Sequence, residues 1–155
     1  MITLEQAKDH LRLDEDDPLL ETVYLPAALE WVSQYLNRKI FNTAEDLAMA
    51  RANANGAIAT ASTNLEAELT AAYDVTDPLV REAMVDMANQ AWRNAHYQYR
   101  EVTQGTLTNP AIDAATLLVM ADMYENREGS FVGISYQPNP AVISLLAPYR
   151  VGMGV

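Results

Sequence analysis

Leu117-Leu118-Val119-Met120-Ala121-Asp122-Met123-Tyr124-Glu125-Asn126-Arg127-Glu128 is the stretch on which the fold turns. Residues 117 to 121 are apolar on every side, which suits a helix enclosed by other elements and not one lying on a surface. Asn109 and Pro110 stand ahead of it. An Asn side chain accepts a hydrogen bond from a free first-turn amide, and Pro is harmless at the first helical position, where no amide is needed. Gly129 follows as a stop signal. The pattern predicts a central helix over Ile112 to Glu128, with an abruptly polar last turn that brings Glu125, Asn126, Arg127 and Glu128 out of the interior at one place.

Outward from that helix, the chain repeats one device. Asp17-Pro18, Asp77-Pro78 and Asn139-Pro140 join Asn109-Pro110 as four Asx-Pro pairs, each an N-cap followed by proline at the first helical position. Thr3-Leu4-Glu5-Gln6 has capping-box spacing, and the short helix behind it turns Leu4, Ala7 and Leu11 inward. Asp14 to Asp17 form an acidic run whose last member caps the next helix while the others favour its positive end. That helix carries Leu20, Val23, Ala27, Trp31 and Tyr35 on one stripe and Leu25, Leu29, Val32 and Leu36 on the neighbouring one. Pro26 lies within it and predicts a kink.

From Asn42 to Thr76 the signals conflict. Thr43-Ala44-Glu45-Asp46 reads as a helix start, Asn55-Gly56 as a break, Ala57 to Thr63 as short strand, loop or weak helix, and Leu65 to Tyr73 as helix again. The helix opened by Asp77-Pro78 is predicted to run to about Arg100, with Val80, Met84, Met87, Ala91 and Ala95 as its inner stripe. Phe131 to Tyr136 alternates and suits an extended arm or edge strand. The last short helix is closed by Pro148, and Val151 to Val155 reads as a flexible apolar tail. The fold class expected is therefore mostly α: a small helical bundle around a central helix, with extended loops or a short β element.

The chain has 155 residues, half of them apolar, with ten basic against 21 acidic side chains and a formal charge of −11. One domain is the expectation at this length. Such acidity argues against tight general binding to phosphate backbones, which relies on clustered Lys and Arg. There is no cysteine, so neither a disulfide framework nor a thiolate zinc site is available. No apolar run reaches the roughly 20 residues of a membrane span, and Met1 to Glu5 lack the start of a signal peptide, which predicts a soluble protein made in the cytoplasm.

Motifs for catalysis are missing. The two histidines, His10 and His96, read as surface or helix-flank residues, and neither has a glutamate three positions before it as a helical di-iron site requires. No Gly-x-Ser-x-Gly elbow, phosphate-cradling glycine loop or calcium loop is present. The reading is no enzyme, no catalytic or metal site and no cofactor. Trp31 and Trp92 read as core, whereas Tyr136 and Tyr149, the latter beside Arg150, are candidates for an interface.

Two separated pieces carry a resemblance. The opening Ile2 to Asp14, with the acid run and the helix to Leu36, looks like the start of the head-tail connector (adaptor) proteins of long-tailed bacteriophages. The second piece, Leu117 to Glu128 followed by Val142-Ile143-Ser144-Leu145-Leu146-Ala147-Pro148-Tyr149-Arg150, resembles that family's ending. There a Tyr-Glu-Asn-Arg-Glu helix end precedes a Leu-Leu-x-Pro-Tyr-Arg close. Together the pieces cover about half the chain; the middle, about 42–105, matches nothing in the family and reads as an insertion.

The resemblance implies a structural virion protein at the head-tail junction. It would form a ring, expected to be dodecameric, under the portal protein, extend the DNA channel, and dock the stopper or tail-completion protein. Genomic DNA would pass through the lumen without specific binding, and no membrane is involved. Glu125, Arg127 and Glu128 become candidates for contacts within the subunit or with a ring neighbour, and Tyr149 and Arg150 for portal docking. The alternative is a free-standing helical interaction protein, such as an assembly chaperone or an acidic mimic of DNA.

Overall fold

The four Asx-Pro pairs and the Thr3 box set the helix starts. In the computed structural model, which describes residues 2–15, 17–126 and 139–152, Asp17 Oδ1 accepts from the Leu19 amide at 2.9 Å. Asp77 Oδ1 accepts from Leu79 at 2.9 Å, Asn109 Oδ1 from Ala111 at 3.0 Å, and Asn139 Oδ1 from Ala141 at 3.0 Å. Each bond satisfies a first-turn donor that the helix itself cannot. At Thr3 the box closes both ways: the Gln6 amide donates to Thr3 Oγ1 at 3.2 Å, and the Thr3 amide to Gln6 Oε1 at 2.9 Å.

The elements are α1 (Leu4–Leu11), a π-helical turn (Leu20–Tyr24), α2 (Leu25–Leu36), β1 (Ile40–Phe41), α3 (Ala44–Tyr73), α4 (Pro78–Thr103), β2 (Thr106–Leu107), α5 (Pro110–Glu125), α6 (Pro140–Leu146) and a 3-10 turn (Ala147–Tyr149). The protein is mostly helical, as expected. The chain divides into two compact units, the first made of Met1–Asn42 with Thr106–Val155 and the second of Thr43–Gly105.

In the first unit α5 is the central helix. It touches α1, the π turn, α2 and α6. Ile112, Ala115, Thr116, Val119 and Met120 are buried at helical spacing, against Leu20, Ala28, Val32 and Leu36 on one side and Val142 and Leu146 on another. Leu117 and Leu118 are only half-buried, so the enclosure is less complete than an all-apolar turn implies. The helix ends at Glu125, short of the expected Glu128, because Asn126 leaves helical geometry. Its Nδ2 donates to the Asp122 carbonyl at 2.9 Å and to Asp122 Oδ1 at 3.0 Å.

At Pro26, where a kink was expected, the chain forms a π turn. The Leu25 amide donates to the Leu20 carbonyl, one residue further back than in an α-helix, just ahead of the proline that cannot donate at all. The extra residue rotates the faces. Leu20, Ala28, Val32 and Leu36 line up inward, while Val23 and Ala27, on the same expected stripe as Leu20, are exposed. The β element lies where no strand was expected: β1 and β2 pair in parallel, Ile40 with Thr106 and Phe41 with Leu107. The arm expected at 131–136 lies outside the described residues.

The second unit is a hairpin of two long helices. The expected break at Asn55-Gly56 is overturned, as is the open reading of 57–63, because α3 runs unbroken for 30 residues. One glycine costs only about 1 kcal/mol in a helix interior, and the alanines around it together with packing on α4 outweigh that. The seam on α3 runs through Ala54, Ile58, Ala61, Leu65, Leu69 and Ala72, recurring at three and four. On α4 the inner stripe is shifted from the expected one. Ala88 is buried, whereas Val80, Met87 and Ala91 are exposed. Trp92, expected in a core, is half-buried and stacks on His96 at 5.0 Å.

Candidate functional surface

Of the six residues expected at an interface, three are described. Arg127, Glu128 and Tyr136 lie outside the described residues, while Glu125, Tyr149 and Arg150 fall at two different ends of the first unit. Tyr24, in the π turn directly ahead of α2, meets Tyr124, at the end of α5, so α2 and α5 run antiparallel. Glu125 shares the Tyr124 end. Tyr149 and Arg150 lie at the other, beside the last residues of α2. With 16 residues in α5 and about 1.5 Å of rise per residue, the ends are about 24 Å apart.

At the first end, Tyr124 holds the acidic run to the central helix. Its hydroxyl donates to Asp17 Oδ2 at 3.0 Å, while Asp17 Oδ1 caps the helix behind it, so one carboxylate serves two elements. The Tyr24 and Tyr124 rings meet edge to face at 5.3 Å. Beside them Arg12, Leu13, Asp14 and Glu15 border a shallow hollow of about 540 Å³. Glu125 itself is exposed.

At the second end the chain's closing segment is tied to α2, and this overturns the expectation of a tail free from Val151 onward. The Val151 amide donates to the Leu36 carbonyl at 3.1 Å, and Asn37 Nδ2 donates to the Val151 carbonyl at 3.0 Å. Asn37 stands in the left-handed region with φ 54°, a conformation Asn tolerates better than most residues, and it thereby ends α2. Arg38 Nη1 donates to the Tyr149 carbonyl at 3.1 Å. Arg150 lies with its guanidinium 4.9 Å from the centre of the Tyr35 ring, and Tyr35 stacks on Trp31 at 5.6 Å with the planes 5° apart.

The arrangement is therefore a ladder of Trp31, Tyr35 and Arg150, backed by Asn37 and Arg38. Arg150 is exposed and pre-positioned, which lowers the ordering cost of using it against a partner. Sequence reasoning singled out Tyr149 and Arg150 without their contacts to Tyr35 and Arg38, or the neighbouring Trp31 and Asn37. The aromatic pair at four-residue spacing was a legible signal; the pairing with Arg150 was not. Among the described residues, no cluster of three carboxylate or imidazole groups could hold a metal ion, and no helix is long and apolar enough to cross a membrane.

Comparison of the chain with protein-family models, with characterised proteins and with solved structures finds no match.

Proposed function

We propose that the chain is a structural virion protein, a head-tail connector that closes into a ring beneath the portal, extends the DNA channel and docks the stopper or tail. One observation carries the reading. The two stretches that resemble the connector family are separated in sequence by some eighty residues, yet both belong to the first compact unit, where α1 and α2 pack on α5 and α6; the unmatched middle forms a unit of its own. Two pieces of one ancestral core would pack together, and their packing supports the reading. The acidic balance of −11 supports it further, since a conduit for DNA works better when like charge keeps the duplex from sticking.

In this reading the end carrying Tyr149 and Arg150 faces the portal, and Glu125 with the residues after it meets a ring neighbour through a heterologous contact that closes by rotation. The test is to mix the purified chain with purified portal and weigh the complex by analytical ultracentrifugation. Many copies should join each portal, and Arg150→Glu should weaken their joining by about tenfold or more, the scale of one lost charged anchor. A single bound copy, or no binding, would sink the connector reading in favour of a free-standing interaction protein. Because Tyr149 and Val151 tie down α2, a point substitution is a cleaner probe here than truncation of the last residues.

A further inference from the structure

The α3–α4 hairpin leaves an apolar face open. In its 63-residue span only two apolar side chains, Ala72 and Ala88, are buried, while on the open face Val80 and Met87 are 49% and 73% exposed. A scaffold this small with so little enclosed core ordinarily gains its stability from oligomerisation or a staple. Two hollows lie along one face of the hairpin. That nearer the tip, about 280 Å³, is bordered by Glu68, Ala71, Met84, Met87 and Ala91; that nearer the base, about 370 Å³, by Ala50, Asn53, Ala57, Ala95 and Gln98 among others. On α4 these positions recur at three or four, and on α3 the step from Ala57 to Glu68 is eleven residues, close to three full turns, so the hollows share a face.

We propose that this face receives the same face of a second copy of the chain, the two hairpins packing antiparallel about a two-fold axis near Ala91, midway along α4. Shape is the first argument. Methionines, flexible and polarizable, stand at the tip end, and an alanine-lined hollow stands at the base end; a two-fold places the methionines of each copy over the hollow of the other. Charge is the second. From Glu66 to Asp86 six acids stand against the one base Arg81, whereas 43–65 and 87–105 together hold three acids and three bases. Antiparallel packing sets each acidic tip beside a neutral base, while parallel packing would set two acidic tips together. Residues 52–65 carry no ionisable side chain at all, in a chain of net charge −11, so this is where two like-charged copies can approach.

The inference stands apart from the connector reading and needs no portal to test. Sedimentation of the full chain over a range of concentrations should show a dimer, and Met87→Glu, at an exposed position that the monomer fold does not use, should weaken it by about 30-fold or more. With no native cysteine to interfere, Ala91→Cys should link to itself under mild oxidation, and Met84→Cys should link to Gln98→Cys in a mixture of the two. Tyr97→Cys, on another face, should not. A monomer at every concentration overturns the proposal. So does a dimer indifferent to Met87→Glu, or one that links equally well through Tyr97→Cys.

Discussion

Asp17 works through both of its carboxylate oxygens, one on the Leu19 amide and the other on the Tyr124 hydroxyl. Removing the hydroxyl tests the second without disturbing the first. Tyr124→Phe keeps the edge-to-face ring contact with Tyr24 and deletes the partly buried hydroxyl bond to Asp17, so unfolding in urea should show a loss of about 0.5–1.5 kcal/mol with the slope unchanged. An unchanged midpoint would mean that water replaces the phenol without cost. The cap itself was legible from Asp17-Pro18, because capping depends on residues adjacent in sequence. Its second use was not, since Tyr124 is 107 positions away.

Among the elements, α3 shows what a local break signal is worth. Asn55-Gly56 is a strong turn dipeptide in isolation, yet the helix passes through it. Gly56 has no positive φ, and nothing lies within 4 Å of where a Cβ would stand. Gly56→Ala should therefore stabilise the hairpin by up to about 1 kcal/mol, read as a raised thermal midpoint by circular dichroism. A fall would show that the glycine serves a close contact with another molecule. The same lesson holds for Pro26 from the opposite side. Its missing donor was legible, but the π turn that accompanies it was not, because that turn brings Leu20 and Ala28 both onto the core face. On α4, apolar spacing alone pointed to Val80, Met84, Met87, Ala91 and Ala95 as the inner face, of which Met84 and Ala95 are half-buried and the other three exposed. The structure turns Ala88 inward, opposite an α3 seam rich in small residues, and leaves Met87 outside.

At the scale of the molecule, the chain leaves the first unit at Asn42 and re-enters it at Thr106, and the β1–β2 bridge holds those two points together. The Thr106 amide donates to the Lys39 carbonyl and the Thr108 amide to the Phe41 carbonyl, both at 2.9 Å. Replacing 43–105 by a Gly/Ser linker of about a dozen residues, enough to cross between parallel neighbours, should leave the first unit folded. Circular dichroism should show helix content falling with a cooperative melt retained, and the denaturant slope should drop with the surface lost. A non-cooperative product would show that the first unit depends on the hairpin. By itself the sequence determined the helical class, all four Asx-Pro starts, the Thr3 box and the central helix, because caps, prolines and apolar spacing act over three or four residues. Tertiary structure decided the parallel bridge, the continuity of α3, the face that α4 buries and the tether that holds Arg150 against Tyr35. Each of these joins residues far apart in the chain or balances a small local cost against packing, and neither kind of information is written in adjacent residues.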